Sequence, residues 1–573
     1  MKSRILILIS ILTITLNIAI VNAQNIDREV TIEKEYTPEV DAAVKKTGIP
    51  ETENPLVEKP VSKYSTWASP ILETPTSQPL LVNELRSQDS FNDQRGYATF
   101  GMGNYLNINA DAGIRLLNTK RDQLGVWYNH TSTGGNLKYR DNVLLYGGEK
   151  TKQRINSNTL NAAYKHAFDK LEWETTIAYK HNSFNYYGAK LIPYLPVIAE
   201  PKNQKVNQYA VGTSFSTTKN KDVTINASIG FEGYYNSLGY LIGEKGGKEN
   251  HLMANLELTA RLANNKNRLG FDFSVDNLFY NSAAVANNYT MLSITPFYKF
   301  ANDNIRLKVG AKVDISANDG TIFRFAPDFE FNADMGKYFH FYTIVDGGKE
   351  LNTWSKTSAK NIYINPTYKL SNTYSATNAT VGVLFDYFSS FTVRVYGGFK
   401  TSTNALFEVR NMETTIDNMM IASNEVVDYM PIDAYRWLGG ANINFKIKKI
   451  IDGEVKWVLN NWRSRDNKET ILSALPKNEW NLKLGIYPIK NLSINANFYM
   501  GIGRGYRYQN HLGQFVNEKM GDIYDLNLGA TYTLNKYISF YLQWNNMLSQ
   551  HYDIYYGMPA QRMHFLLGAN VKF

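Results

Sequence analysis

The residues of this chain that could carry chemistry are scattered rather than grouped. None of its eight histidines falls in a nucleophile or zinc motif such as G-x-S-x-G or H-E-x-x-H. Cysteine is absent, which excludes disulfides and thiolate sites. The stretch 404–432 combines Met412, Met419, Met420 and Met430 with several carboxylates, but no spacing there defines a coordination geometry. The sequence therefore predicts no catalytic site, no metal site and no cofactor.

A second group of candidate residues is basic and follows alternating segments of the chain. Between 305 and 315, apolar residues alternate with polar and charged ones, so a strand here would place the two sets on opposite faces. If the apolar set faces outward, a closed sheet would have a polar interior where selectivity for a solute resides. The basic residues assigned to that interior are Arg306, Lys308, Lys312, Arg394, Lys400, Lys446, Lys456 and Lys483.

The interior acids on the same assignment are Glu232, Asp314, Glu454 and Asp525. Eight bases against four acids indicate a mildly positive interior that would attract anionic solutes. An equally good interpretation is that charges of both signs pair or are hydrated, since a shift of one residue in register would exchange the faces. The net charge of +9 is not concentrated in any dense cluster, so no nucleic-acid partner is expected.

Strands must position these residues, because period-two alternation continues from about Gly96 to the last residue. Segments 492–503, 524–534 and 538–545 alternate strictly, and runs of this length can cross a bilayer at the tilt of a barrel strand. Short polar turns alternate with long connections, a pattern typical of outer-membrane barrels with the long loops outside the cell. The turns are 219–222, 264–266, 301–303 and 535–536, and the long stretches are 188–205, 236–248, 347–373, 404–432, 464–478, 508–520 and 549–561.

The first 95 residues have a different composition. Lys2 and Arg4, an apolar run from 5 to 20 and the small-residue site before Gln24 predict a signal peptide over 1–23. Segment 24–95 holds seven of the 17 prolines and one of the 39 glycines, which favours extended chain over a packed core. We expect this segment to be a short Pro-rich periplasmic tail or a small insert in the barrel mouth.

The predicted fold of 96–573 is all-β: a transmembrane antiparallel β-barrel of about 22 strands, with 18 or 20 also possible. With an even number of strands, the first strand begins and the last strand ends in the periplasm. Closure of the barrel leaves no unpaired strand edge in lipid. A soluble secreted all-β protein would also alternate, but many consecutive long strands and the asymmetry of turns and loops favour a barrel in the outer membrane, with lipid as its surroundings.

The end of the chain carries two resemblances. The final segment resembles the outer-membrane β-signal that the barrel-assembly machinery reads, through Phe565, Leu567, Ala569, Val571 and the terminal Phe573. The final hairpin, 543–573, is similar to the end of TonB-dependent receptors in its QWNNML turn-off, its YYGMP loop, Arg562 and the terminal Phe573. This resemblance implies a receptor-like barrel that takes part in solute binding or uptake.

The chain also departs from those receptors, because they carry a glycine-rich plug domain that 24–95 is too short and too poor in glycine to form. It therefore resembles their plugless relatives. Within 27–32, Glu29, Val30, Thr31 and Ile32 resemble a TonB box, which implies a TonB-type energising protein as partner; an ordinary extended tail is the favoured interpretation. The alternative function is a structural or assembly barrel whose tail binds periplasmic partners and which conducts nothing.

Overall fold

The computed structural model describes most of the chain after residue 94. The described residues are 95–573 without 142–146, 189–202, 218–221, 240–244, 263–265, 282–286, 319, 367, 388–389, 410–413, 417–418, 422–425, 467, 472 and 510–514. The predicted signal peptide, segment 24–94 and the TonB-box-like residues 29–32 lie outside the described residues.

The described chain forms 22 antiparallel strands in one closed sheet, which confirms the predicted barrel. The strands are β1 Gly96–Gly103, β2 Ile108–Asn118, β3 Asp122–Lys138, β4 Lys150–Ala167, β5 Leu171–Phe184, β6 Gln204–Thr217, β7 Val223–Asn236, β8 Lys248–Arg261, β9 Asn267–Tyr280, β10 Tyr289–Ala301, β11 Ile305–Ala317, β12 Phe323–Met335, β13 Phe339–Glu350, β14 Thr373–Tyr387, β15 Phe391–Val409, β16 Asp428–Ile447, β17 Ile451–Ser464, β18 Asn478–Ile489, β19 Leu492–Ile502, β20 Ile523–Thr533, β21 Ile538–Asn545 and β22 His564–Lys572.

The barrel closes between its first and last strands. β1 pairs with β22 from Tyr97 opposite Lys572 to Gly103 opposite Leu566. Beyond that ladder, Gly96 and Phe573 exchange two backbone hydrogen bonds, of 2.8 and 2.9 Å. This closure gives every strand two neighbours, so the sheet has no edge with unpaired backbone groups.

The outer face of the barrel is apolar and exposed. Phe325 is 66% exposed and Trp437 is 54% exposed, and Leu567 and Phe565 project from the same surface. A water-soluble protein would bury side chains of this kind, whereas lipid solvates them. The closed barrel and this apolar exterior place the protein in the outer membrane. Among the described residues, no helix is long and apolar enough to cross a bilayer.

The short turns and the two ends of the strand sequence lie at one end of the barrel, and the long connections lie at the other. At the long-loop end, the connections 351–372 and 546–563 are among the longest. Two connections at this end are short: 104–107 between β1 and β2, and 318–322 between β11 and β12. By the outer-membrane pattern, the long-loop end is extracellular and the short-turn end is periplasmic.

Aromatic rings cover glycines on neighbouring strands of the wall. Tyr396 lies directly opposite Gly440, and Tyr541 lies opposite Gly568. A Cβ atom added to Gly440 would lie 2.4 Å from the Tyr396 ring, so the ring occupies the space of the missing side chain. Such pairs fix strand register, because a slip of one residue would move the ring off its glycine.

Candidate functional site

The loop between β13 and β14, residues 351–372, packs inside the extracellular mouth of the barrel. It contains one helix, α1, Trp354–Lys360, whose N-cap Thr353 accepts a hydrogen bond from the Lys356 N–H at 3.1 Å. Trp354 is 4% exposed and Tyr363 is fully buried. A loop this apolar would be unstable in water, and the inner wall of the barrel supplies the surface that covers it.

Two carboxylates on the inner wall hold the first turn of α1. Glu249 on β8 accepts the Trp354 N–H at 2.7 Å and the Ser355 N–H at 3.2 Å. Glu232 on β7 accepts the Ser355 hydroxyl, and Gln208 on β6 donates to the same hydroxyl at 3.2 Å. Glu249 thus satisfies two backbone N–H groups that a helix start leaves without partners, and the three side chains together tie α1 to three strands.

Aromatic and aliphatic side chains from several connections form the core of this mouth. The Tyr363 ring lies 5.3 Å from the Tyr187 ring and 5.7 Å from the Phe184 ring. Val427 donates its N–H to the Tyr363 carbonyl and accepts from the Asn365 N–H, both at 2.9 Å. Burial raises the pKa of the Tyr363 phenol, which keeps it neutral at physiological pH.

The last connection, between β21 and β22, packs beside this core. Arg504 is 2% exposed and donates to the carbonyls of Asp553 at 2.8 Å and Ile554 at 2.7 Å. Burial lowers the pKa of Arg504 to about 10, so its guanidinium stays charged at neutral pH. Tyr187, which follows β5, donates to the Pro559 carbonyl at 3.3 Å. This hydrogen bond joins the connection after β5 to the connection between β21 and β22. We call residues 351–372, 426–427 and 552–561 the cap.

The cap leaves little room between itself and the barrel wall. The space bounded by α1, Tyr186, Tyr234 and Tyr368 is about 20 Å³, enough for about one water molecule and too small for a solute. α1 therefore packs against this part of the wall without room for a solute between them.

Inward-facing ion pairs line the wall at several heights. Lys308 lies 2.7 Å from Asp328 and 3.8 Å from Asp272. Arg306 lies 3.2 Å from Asp334. These acids occupy alternate positions on β9 and β12, so strand parity could have added them to the four acids assigned to the interior from the sequence.

The remaining basic residues assigned to the interior, which include Lys456 on β17, are spread over five strands and do not converge. Lys400 pairs with Glu350, and Lys483 pairs with Glu454 at 3.3 Å. Lys312, Arg394 and Lys446 form no ion pair within the part of the chain that the structure describes. Lys312 instead approaches the Gly347 carbonyl at 3.5 Å.

The C-terminal residues lie on the outer face of β22, as alternation predicts. Phe565, Leu567, Val571 and Phe573 are each at least 43% exposed, and Ala569 shares their side of the strand. The Phe573 ring covers Gly96, where an added Cβ would lie 2.7 Å from it. The last residue therefore contacts the first strand through its backbone and its ring.

Sequence reasoning missed the cap. The signal was present in 347–373, where Trp354, Tyr363 and Tyr368 make a long loop more aromatic than a solvated loop needs to be. Within the described ranges, no group of three or more histidines and carboxylates could hold a metal ion. The side chains of Met412, Met419 and Met420 are outside those ranges.

Solved structures share this architecture. A mutant of the ferric enterobactin receptor from Pseudomonas aeruginosa matches with a TM-score of 0.63 and 10% identity, over 84% of this chain and 80% of that one. The ferripyoverdine receptor of the outer membrane of Pseudomonas aeruginosa matches with 0.60 and 12%, over 84% and 72%. A copper transporter, OprC, matches with 0.60 and 10%, over 84% and 82%. No family model and no curated protein matches the sequence.

The closed sheet of 22 strands and the apolar exterior define an outer-membrane β-barrel. Within that class, the chain has the barrel fold of TonB-dependent receptors, which confirms the resemblance seen in its final hairpin. At 10–12% identity this similarity concerns the fold.

Proposed function

We propose that this receptor-like barrel takes part in binding or uptake of a solute across the outer membrane, and that the cap moves to admit the solute. The observation that carries the proposal is how the cap is held. Its helix is attached to the wall by hydrogen bonds to Glu232, Glu249 and Gln208, all of which water or a polar ligand could replace. The relatives in fold are receptors for iron–siderophore complexes and a copper transporter.

Charge in the interior supports a preference among solutes. Lys312, Arg394 and Lys446 form no ion pair among the described residues, whereas Arg306, Lys308, Lys400 and Lys483 are neutralised by carboxylates. Cations without an ion pair in a partly screened interior would favour anionic solutes. Within this proposal, Glu29, Val30, Thr31 and Ile32 bind a TonB-type protein that supplies energy, and segment 24–95 gates the periplasmic mouth.

The C-terminal face belongs to biogenesis rather than to transport. We propose that Phe565, Leu567, Ala569, Val571 and Phe573 are recognised by the barrel-assembly machinery. Their support is the exposed, regularly spaced apolar row that ends at the last residue.

Ion conductance in planar bilayers tests the transport proposal. Four proteins are compared: the parent, one with 353–366 replaced by a Gly-Ser linker, one without 25–94, and one with both changes. We expect the doubly changed protein to conduct and the parent to conduct little. A Gly-Ser replacement of 318–322, a loop outside the cap, serves as the control and should behave as the parent does.

One observation favours the alternative function. The cap is fixed to the wall by the buried rings of Trp354 and Tyr363 and by the hydrogen bonds of Glu232 and Glu249, which suits a structural or assembly barrel that conducts nothing. Negligible conductance from the doubly changed protein, when it is folded and heat-modifiable on gels, would refute the transport proposal and support this alternative.

A further inference from the structure

The wall formed by β3 to β8 rises beyond its apolar belt on the extracellular side. On the outer face of β4, Leu160 is 48% exposed and is followed toward the extracellular end by Asn158, Asn156, Arg154 and Lys152. Alternation puts all of these side chains on one face. The outer surface therefore changes along one strand from apolar to amide and then to basic.

A row of tyrosines marks where the apolar belt ends. Tyr128 donates to the Asn158 amide oxygen at 2.8 Å, and Tyr179 donates in the same way to Asn207 at 2.8 Å. On β6, Tyr209 reaches across Gly233 of β7 and donates to Asn250 on β8 at 3.2 Å. Tyrosines with an apolar body and a hydrogen-bonded polar tip sit at membrane–water interfaces. This row therefore places the outer interface of the membrane.

The same geometry recurs with histidine. His130 lies two residues beyond Tyr128 and contacts Asn158 at 2.8 Å. His181 lies two residues beyond Tyr179 and contacts Asn207, also at 2.8 Å. Two neighbouring parts of the wall thus place an imidazole and an amide just outside the tyrosine row, where lipid headgroups begin.

Basic residues follow directly above this polar row. We call them the basic band: Lys138, Lys150, Lys152, Arg154, Lys205 and Lys248, all exposed. Lys205 and Lys248 stand two residues beyond the asparagines of the row, and Arg154 stands four beyond. At about 3.3 Å per residue and a barrel tilt near 40°, these steps are about 5 and about 10 Å above the row. A bilayer about 40–45 Å thick with a hydrocarbon core of about 30 Å has a headgroup layer about 5–8 Å deep on each side. Lys205 and Lys248 therefore lie within the headgroup layer, and Arg154 lies at its outer boundary.

The charge of the basic band is largely uncompensated. Within the described residues, its only carboxylate within ion-pair range is Asp141, 3.8 Å from Lys138. Lys248 lies over the Tyr235 ring at 5.3 Å from its centroid, which orients the ammonium group along the outer wall. Apart from Lys138, the basic residues of the band therefore face outward without an ion-pair partner among the described residues.

The outward basic residues are concentrated on one side of the barrel. At the extracellular end of β12, the outer surface remains apolar up to the loop: Ile322 is 59% exposed and Phe323 is 56% exposed. On β17, Arg463 is a single exposed basic residue at this end, and Arg465 beyond it pairs with Asp433. Snorkelling lysines spread evenly around the rim would be the ordinary pattern of any barrel. The concentration of six basic residues on β3, β4, β6 and β8 instead describes a specific contact surface.

We propose that the basic band binds the phosphate groups of outer-leaflet glycolipids. Lysine and arginine form strong charge-assisted hydrogen bonds with phosphate, and the asparagine and histidine row just below offers further donors to the sugar and phosphate oxygens. The occupant is a lipid because the apolar belt directly beneath the band receives acyl chains at the same position. This inference is independent of whether the barrel transports a solute.

Retention of purified lipid A tests this proposal. The parent barrel in detergent is incubated with phosphorylated lipid A or with the same lipid after enzymatic dephosphorylation, and bound lipid is counted by native mass spectrometry. The test variant carries K152Q, R154Q, K205Q and K248Q. We expect it to retain at least tenfold less phosphorylated lipid than the parent does, and we expect the parent to discriminate against the dephosphorylated lipid.

A matched control carries K448Q, K449Q and K490Q in the periplasmic turns, which are equally exposed and lie on the opposite side of the membrane. It should retain lipid as the parent does. Heat-modifiable migration on gels verifies that each variant is folded. Equal retention by the parent and the test variant overturns the proposal, as does equal retention of both lipids. Complete displacement of lipid A by millimolar inorganic phosphate would assign the band to free phosphate and overturn the lipid assignment.

Discussion

Replacing Trp354 by alanine should open the cap without unfolding the barrel. The indole is 4% exposed, meets the Tyr280 ring edge-on at 5.6 Å, and donates its N–H to the Tyr368 carbonyl at 3.2 Å. It also fills the space above Gly247, where an added Cβ would lie 1.9 Å from the ring. The backbone bonds to Glu249 do not depend on the side chain, so the substitution removes packing and leaves that anchor in place.

The expected magnitude follows from the burial of the ring. Removing a buried tryptophan destabilises the structure around it by about 3–5 kcal/mol. Because about 1.4 kcal/mol corresponds to a factor of ten, the population of open cap should rise by about two to three and a half orders of magnitude. The barrel wall is held by a continuous hydrogen-bonded ladder and should keep its stability.

Hydrogen–deuterium exchange of peptides from 351–366 measures this population. In W354A, protection of these amides should fall by about a hundredfold or more, while amides of β11 exchange as in the parent. G247V should reproduce the effect, since its side chain displaces the indole. W437A is the control, because it removes a ring that is 54% exposed on the lipid face and touches no part of the cap. Protection within threefold of the parent in both cap variants would refute this account of the cap.

Three further outcomes are expected. F573D should lose most heat-modifiable protein from outer-membrane fractions, although the ring itself contributes only about 1.5–3 kcal/mol, whereas F565A should be milder; equal, near-normal amounts would show that the terminus is not an assembly signal. G440A should lower the temperature of heat modification by displacing the Tyr396 ring, at about 1–3 kcal/mol, while adjacent G439A, whose nearest neighbour is 3.8 Å away, should not; equal shifts would contradict the proposed ring packing. An epitope inserted between β15 and β16, within 410–425 of the predicted loop 404–432, should be accessible on intact cells, and one in a short turn at the other end should not; the reverse would invert the topology.

The barrel could be predicted from the sequence because its pattern is local. Residues such as Leu307 and Lys308 alternate within one strand, so they lie on opposite faces, and the long strands with their asymmetric turns and loops indicate that the apolar face meets lipid. The apolar row that ends at Phe573 could likewise be predicted from the order of residues along the chain alone. Strand number followed in turn from the spacing of turns, and the structure confirms 22 strands.

The cap could not be predicted in this way, because its contacts join distant parts of the chain. Tyr363 packs against Tyr187, and the carbonyl of Pro559 accepts from that same tyrosine. No periodicity relates three loops so far apart in sequence. The ion pairs of the interior depend on register in a similar way: Lys308 reaches Asp328 only because β11 and β12 pair with one particular offset.

The wall is uneven in height, and this has a consequence for how the barrel forms. β1 and β22 meet through seven residue pairs, whereas β15 and β16 meet through 17. We expect the junction between the first and last strands to form last, because it joins the residues most distant in sequence. Because the junction is short, few residues of β1 and β22 must become ordered together when the barrel closes. The loss of conformational entropy in that closing step is therefore small. Lengthening β1 and β22 together would therefore slow closure while leaving the finished barrel more stable.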